Sequence, residues 1–202
     1  HKNQLLIAGG DVLTGHDPQS GKELWRWGTW NPNHKEQWWR LVPSPVVGNG
    51  VILVCAPKKA PIFAIKTGLS GTYEGKNGLS WQTKEKPYLT SDVPTPLFYD
   101  NKFFILSDLK KVLSKVNPDN GKIEWSLELP GKYKWRSSPT GGDGKIYVMN
   151  HNGDILVVSS NEGKILNLAE MGATYDDNTR SSIAIAGSEL FVRTNKILYC
   201  IQ

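Results

Sequence analysis

The sequence predicts an all-β fold, a β-propeller of four-stranded antiparallel blades. The turn phrase DPQSGKELW, residues 17–25, returns as NPDNGKIEW at residues 117–125 with its Gly, Lys and Trp in register. A third copy, SSNEGKILN, occupies residues 159–167, and an expanded copy ends at Trp81. The last residues of the four copies are Trp25, Trp81, Trp125 and Asn167, which are 56, 44 and 42 residues apart. A period of this length is typical of repeat architectures.

Each repeat holds four short apolar segments of the length and composition of β-strands. In the third repeat VPTPLF is followed by KFFILS, then by KVLSKV, and then by the turn phrase and a Trp-bearing segment. Asp or Asn before Pro starts a tight turn, and the Gly that follows supplies a positive φ. Four antiparallel strands in forty-odd residues correspond to one propeller blade. The first strand is predicted to be innermost and the Trp-bearing strand outermost.

The blades follow one another along the whole chain, which is predicted to be a single partial propeller. Residues 4–29 hold strands two to four of a first blade, because no inner-strand pattern precedes them. Three complete blades are expected at residues 40–84, 92–129 and 136–171. Residues 180–202 then supply strands one to three of a last blade, without its outer strand.

The turn glycines and the closing tryptophans are predicted to hold neighbouring blades together. These structural docking residues are Gly21, Trp25, Trp81, Gly121, Trp125 and Gly163. We expect the three tryptophans to occupy equivalent, mostly buried positions near the blade interfaces, since a large ring buries much apolar area.

The composition is that of a globular protein, with 39% hydrophobic and 21% charged residues. The net charge of +5 permits an acidic partner but does not predict nucleic-acid binding. No apolar run approaches the ~20 residues that a membrane helix needs. Cys55 and Cys200 lie in apolar strand segments and are expected to be buried, reduced thiols. The four histidines show no metal-ligand spacing.

The turn phrase, an Asp or Asn with Pro followed by Gly-Lys and a closing Trp, resembles the tryptophan-docking repeat of the pyrroloquinoline quinone (PQQ) quinoprotein propellers. That repeat is also found in the propeller lipoprotein of the outer-membrane assembly (BAM) complex. The wider pattern, from RLVPSPVVGNGVILVCAP to RSSIAIAGSELFVR, is similar to PQQ-binding-like envelope proteins of Bacteroidetes and Planctomycetes. The resemblance covers essentially the whole chain, and it specifies the fold more closely than the function.

Membership of this group would imply eight blades, so the chain resembles the C-terminal half of such a propeller. A half propeller exposes two blade edges, which proteins normally cover. We therefore expect the missing half, or another copy, against those edges. The resemblance also implies a periplasmic or otherwise extracytoplasmic location.

Two kinds of loop share one face of a propeller, which we call the funnel face: those that enter an inner strand and those that join strands two and three. The candidate ligand-binding residues on it are Trp39, Arg40, Asp92, Trp135, Arg136, Arg180, Lys58, Lys110, Lys111 and His151. Trp beside Arg can stack on a sugar or hold a carboxylate or phosphate, which would suit a protein or an anionic sugar as ligand. The structural alternative is that the rings seal blade junctions and the guanidinium groups pair with backbone carbonyls.

Quinoprotein catalysis is not predicted. The dehydrogenases of the family that the chain resembles hold calcium through acidic and amide oxygens and pack adjacent cysteines against the quinone. The resemblance would therefore imply such residues in a catalytic member. This chain has no adjacent cysteine pair, and Asp92 is the one acidic residue at an inner-strand entry. We expect no metal site and no cofactor, with calcium-loaded PQQ as the alternative. The sequence favours a non-catalytic binding scaffold in the bacterial cell envelope. A quinoprotein-like dehydrogenase or a carbohydrate-binding protein, with its site in the funnel, is the alternative.

Overall fold

A computed structural model describes residues 3–28, 41–56, 61–83, 89–171 and 178–202, and within these ranges it contains strands and no helix. In chain order the strands are β1 (Leu5–Ala8), β2 (Val12–His16), β3 (Glu23–Gly28), β4 (Val46–Gly48), β5 (Val51–Cys55), β6 (Ile62–Lys66), β7 (Gly71–Glu74), β8 (Leu79–Gln82), β9 (Leu97–Tyr99), β10 (Lys102–Ser107), β11 (Val112–Val116), β12 (Ile123–Glu128), β13 (Thr140–Gly142), β14 (Lys145–Met149), β15 (Asp154–Ser159), β16 (Ile165–Glu170), β17 (Ala184–Ala186), β18 (Glu189–Arg193) and β19 (Leu198–Ile201).

These strands form five sheets. The second, third and fourth sheets have the orders β4-β5-β6-β8, β9-β10-β11-β12 and β13-β14-β15-β16, and every pair in them is antiparallel. The fifth sheet has three strands, β17-β18-β19. The first sheet has the order β1-β2-β3-β7. The all-β fold class is therefore confirmed.

The apolar core lies between neighbouring sheets, because successive side chains of a strand point to opposite faces. In β10, Phe103 and Ile105 belong to the cluster shared with the second sheet, whereas Phe104 and Leu106 belong to the cluster shared with the fourth. Burial on both faces explains why this strand reads KFFIL rather than as alternating polar and apolar residues. Two further clusters join the first sheet to the second and the fourth to the fifth.

A ladder of hydroxyl groups joins the inner-strand segments of neighbouring sheets. The N–H of Ser44 donates to Thr95 Oγ1 at 3.0 Å, and the N–H of Thr95 donates to Ser138 Oγ at 3.0 Å. The N–H of Ser138 in turn donates to Ser182 Oγ at 2.9 Å. These four residues therefore occupy the same position in successive sheets, which fixes how the entries to the inner strands correspond.

The first sheet departs from the predicted exclusively antiparallel arrangement, and that expectation is wrong. Strand β7 belongs in sequence to the second repeat, yet it pairs in parallel with β3, with Gly71 opposite Trp25 and Glu74 opposite Gly28. The expanded turn at residues 67–78 is the reason, because it is long enough to form a strand of its own. That strand covers the outer edge of the first sheet.

The two cysteines differ in their surroundings. Cys55 is buried, and burial raises the pKa of its thiol. Cys200 is exposed, so the prediction of two buried thiols is wrong for this residue. The reason is its place in β19, the outer strand of a sheet with three strands.

Candidate functional site

The candidate site lies on the funnel face, where the third, fourth and fifth sheets approach one another. Arg136 precedes the inner strand β13, and Arg180 precedes the inner strand β17. Asp108 directly follows β10, and His151 follows β14 by two positions. These segments hold their side chains at one face because strand ends of neighbouring sheets meet there.

Arg136 and Asp108 form an ion pair across the junction of the third and fourth sheets. The Nε atom of Arg136 lies 3.0 Å from Asp108 Oδ2, and the Asp108 side chain is fully buried. The other carboxylate oxygen, Oδ1, accepts a hydrogen bond from the backbone N–H of Asp92 at 3.2 Å. Asp108 was not among the predicted site residues, although the end of the KFFILS strand segment marks its position.

His151 is held by its backbone between two loops. Its N–H donates to the carbonyl of Lys134 at 2.9 Å, and its carbonyl accepts from the N–H of Thr179 at 2.9 Å. Its ring nitrogen Nε2 is buried and makes no hydrogen bond to any described group. The pKa of His151 is lowered, first by burial and then by the positive charges of Arg136 and Arg180. The imidazole is therefore kept neutral over a wider pH range than an exposed one.

An open cavity of about 320 Å³ lies over these groups. Its lining residues are Lys132, Tyr133, Lys134, Arg136, His151, Asn178 and Arg180. The Lys132 ammonium lies 5.2 Å from the centroid of the Tyr133 ring. Four cationic side chains thus surround one cavity, and no carboxylate of the described residues lines it. Such an arrangement attracts anions.

The two arginines are equivalent members of the repeat. Arg136 stands two residues before Ser138, and Arg180 stands two residues before Ser182, the two hydroxyl acceptors of the ladder. His151 likewise corresponds to Asp108. Each lies six residues beyond the first residue of its strand, β14 or β10, and each strand follows a turn residue with positive φ. The junction of the third and fourth sheets therefore pairs Arg with Asp, and the next junction places Arg near His.

Several predicted ligand residues have other roles. Trp135 is buried in the core, and its ring N–H donates to the Pro130 carbonyl at 3.0 Å, so the prediction that it stacks on a ligand is wrong. The Lys111 ammonium donates to the Gly131 carbonyl at 2.6 Å, and Lys110 lines a separate cleft beside β11 and β12. Neither lysine lines the cavity of the funnel face.

Asp92 is buried and takes part in the site through its backbone N–H. Trp39, Arg40 and Lys58 lie outside the described residues. Of the ten predicted ligand residues, the cavity brings together Arg136, His151 and Arg180.

The predicted docking turns share one geometry. The N–H of Gly21, Gly121 and Gly163 donates in each case to the carbonyl four residues earlier, at 2.9, 2.9 and 3.0 Å, and each φ is near +70°. The Trp81 ring lies against Gly121, and its N–H donates to the Pro118 carbonyl at 2.6 Å. The Trp125 ring lies against Gly163 in the same way, one sheet further on.

Trp25 is buried but does not occupy the equivalent position, so that prediction is wrong. Its ring lies over Gly15 of its own sheet, and its N–H donates to Gln4 Oε1 at 3.0 Å. The expanded turn of the second repeat is the reason, because it places β7 beside Trp25. Trp27 instead packs toward the second sheet, with its ring 5.2 Å from that of Phe63.

The family described as outer membrane protein assembly factor BamB matches residues 74–201, more than half of the chain. The chain belongs to this family. BamB from Moraxella catarrhalis has the same fold, with a TM-score of 0.65 at 13% identity over 94% of this chain and 54% of that protein. This BamB-like chain thus spans about half the length of that structure. No curated protein matches it significantly in sequence.

Two quinohemoprotein alcohol dehydrogenases share the fold of this BamB-like chain. The enzyme from Comamonas testosteroni gives a TM-score of 0.71 at 12% identity, over 98% of this chain and 39% of the enzyme. The enzyme ADHIIG from Pseudomonas putida HK5 gives 0.72 at 14% identity with the same coverage. At these identities the likeness shows the fold, and the predicted PQQ-like β-propeller repeat is confirmed. That the chain is half of an eight-bladed propeller stays a prediction.

The described funnel face of this BamB-like propeller does not suit calcium-bound PQQ. Calcium takes six to eight oxygen ligands. The carboxylate of Asp108 is already engaged by Arg136 and by the N–H of Asp92, and the cavity lining is cationic. No group of three or more His, Cys, Asp or Glu residues in the described ranges is arranged to hold a metal ion. Within the same ranges no helix is long and apolar enough to cross a membrane.

Proposed function

We propose that this propeller is a non-catalytic binding scaffold of the bacterial cell envelope, and that it binds an acidic partner protein through the funnel face. The observation that carries the proposal is the cavity with four cationic side chains from two adjacent sheets. The family description names an assembly factor of the outer membrane, which supports a periplasmic location and a protein as partner.

The physical argument rests on charge and shape. A concave surface of one sign focuses the electric field and raises the local concentration of oppositely charged groups. Complementary charge accelerates association and selects the partner more than it strengthens the final complex. Lys132 and Lys134 are exposed at the rim, whereas Arg136 is held by Asp108. The exposed lysines are therefore suited to steering, and the deeper groups to positioning.

Photo-crosslinking in cells tests the proposal. A photoreactive amino acid at Tyr133 reports contacts of the funnel face, and one at Asn161 reports contacts of an outer turn at the opposite face. We expect a reproducible protein adduct from the Tyr133 position that the Asn161 position does not give. The same adduct from both positions would contradict a specific role for the funnel face.

The identified partner is then purified and its association rate is measured at increasing ionic strength. We expect the rate to fall with salt, because exposed charges are screened over ~10 Å at 0.1 M. The double variant Lys132→Gln, Lys134→Gln should lower the rate, and the matched variant Lys22→Gln, Lys122→Gln should not. An association rate that changes neither with salt nor in the Lys132→Gln, Lys134→Gln variant would refute the proposal. Alcohol oxidation that depends on added PQQ and calcium would overturn its non-catalytic part.

A further inference from the structure

The repeat supplies an internal comparison for the site. Beside Arg136, the chain itself provides a buried carboxylate, that of Asp108, with the two groups 3.0 Å apart. Beside Arg180, one repeat further on, the corresponding position holds His151, and no ion pair joins Arg180 to a carboxylate of the described residues. Among the described residues, the equivalent position one repeat later therefore holds a guanidinium without the acid that accompanies Arg136.

We propose that the cavity between His151 and Arg180 is a carboxylate-binding site, in which the ligand's carboxylate takes the place that Asp108 fills beside Arg136. The proposal deepens the scaffold function proposed above and rests on it for the source of the carboxylate, an acidic segment of the partner protein.

The ring of His151 supplies a second, independent observation. Nε2 is buried and has no hydrogen-bond partner among the described groups, and His151 is one of the residues that line the cavity. A buried polar atom without a partner is costly, so an acceptor that enters the cavity gains from meeting it. A neutral imidazole can donate one hydrogen bond from Nε2 when that nitrogen carries the proton.

The other lining groups favour a carboxylate. The planar guanidinium of Arg180 can donate two parallel hydrogen bonds to the two oxygens of one carboxylate. Asn178 adds an amide, and Lys134 adds a positive charge at the rim. A cavity of about 320 Å³ accepts an acidic side chain, a chain terminus or a small organic acid. Each of these groups can donate a hydrogen bond or carries a positive charge, which suits an anion that has only acceptors.

The test is a titration of the full chain with succinate. The NMR chemical shift of the backbone amide of Thr179, which donates to the His151 carbonyl, reports binding. Succinamide, its neutral analogue, is the matched control ligand and should cause no saturable shift. Arg180→Gln should weaken succinate binding about tenfold or more, as expected for the loss of a charged hydrogen-bond donor. Lys122→Gln, on an outer turn, should leave it unchanged.

The decisive variant is His151→Asp, which restores the acid found at the equivalent position of the preceding repeat. It should fold and should abolish succinate binding, because Arg180 then pairs within the chain. His151→Asn keeps a neutral donor and should retain binding within about threefold, a small free-energy change. Undiminished binding by His151→Asp would overturn the proposal.

Three further results would also overturn it. One is inorganic phosphate binding more tightly than succinate, which would indicate a general anion site. A second is equal binding of succinamide. The third concerns Asp176 and Asp177, which precede Arg180 in the sequence. Succinate binding that appears only in the double variant Asp176→Asn, Asp177→Asn would mean that the unmodified chain supplies the carboxylate itself.

A competition experiment with a peptide distinguishes failure of this proposal from failure of the scaffold function. An acetylated glutamate-containing peptide amide should compete with succinate. If succinate binds but the peptide does not compete with it, the carboxylate site stands, and an acidic segment of a partner protein is not the source of its ligand. A funnel-face crosslink that His151→Asp leaves intact would keep the scaffold function and remove the carboxylate site.

Discussion

Replacing each turn glycine by alanine separates backbone strain from contact between blades. Gly21, Gly121 and Gly163 have nearly identical φ angles of 70°, 71° and 68° and the same turn hydrogen bond. A Cβ atom at Gly121 would lie 2.5 Å from the Trp81 ring, and one at Gly163 would lie 2.6 Å from the Trp125 ring. At Gly21 nothing lies within 4 Å. Gly21→Ala is therefore a matched control for the other two variants.

The expected magnitudes follow from these distances. An alanine at positive φ costs roughly 1–2 kcal/mol whatever its surroundings, and this cost is common to all three variants. The additional contact with the tryptophan ring, which is buried for Trp81 and partly buried for Trp125, costs about 1–3 kcal/mol, the usual range for overpacking. Gly121→Ala and Gly163→Ala should therefore lose about 1–3 kcal/mol more free energy of unfolding than Gly21→Ala.

The assay is urea denaturation followed by far-ultraviolet circular dichroism, with the slopes compared to check that all variants unfold alike. Three losses that agree within about 0.5 kcal/mol, the usual uncertainty between independent sites, would refute the reasoning. The tryptophans would then not depend on close approach to the turn, and the contact between blades would lie elsewhere.

Other variants test the remaining conclusions. Arg136→Gln should destabilise the fold by about 3 kcal/mol because it leaves Asp108 buried without its partner, whereas Arg180→Gln should cost less than about 0.5 kcal/mol; urea denaturation measures both. Trp125→Ala should cost about 3 kcal/mol in the same assay. The pKa of His151 is lowered in the folded state, so the unfolded chain takes up a proton first. Stability should therefore fall below pH ~6.5, and denaturation midpoints should show a smaller fall for His151→Asn. Calorimetry should show no submicromolar calcium binding.

The fold was predictable because its signal repeats. A single copy of the turn phrase is weak evidence, but copies at 117–125 and 159–167, each after two apolar strands, specify the strand order of a blade. The prediction was wrong where one repeat departs from the others. The inserted residues 67–78 contain β7, which pairs with the neighbouring sheet beside Trp25, and the Trp25 ring does not lie where its sequence context indicates. Pairing between repeats depends on tertiary contacts that the local pattern does not encode.

The cationic residues of the site could be predicted from the sequence, but the burial and pairing of the side chains around them could not. Arg136, Arg180 and His151 were identified because loop positions follow from strand order. Trp135 was misplaced because an aromatic residue beside an arginine has the same local pattern whether its ring faces the cavity or the core. Asp108 was missed because its role depends on a guanidinium 28 residues away in sequence, on another sheet.

The contrast between two junctions of the same propeller shows how such a fold acquires a site without altering its framework. The hydroxyl ladder through Thr95, Ser138 and Ser182 keeps successive inner strands in one register. Arg136 and Arg180, each two residues before a ladder serine, therefore hold equivalent positions in successive repeats. At one junction an aspartate neutralises the arginine within the protein, which stabilises the fold and leaves little for a ligand to gain. At the next junction a histidine stands in the place of the acid, and no carboxylate among the described residues lines the open cavity beside Arg180. Because the two arginines hold equivalent positions relative to the hydroxyl ladder, we expect the exchange of aspartate for histidine to be sufficient to convert a structural ion pair into a site for an external acid.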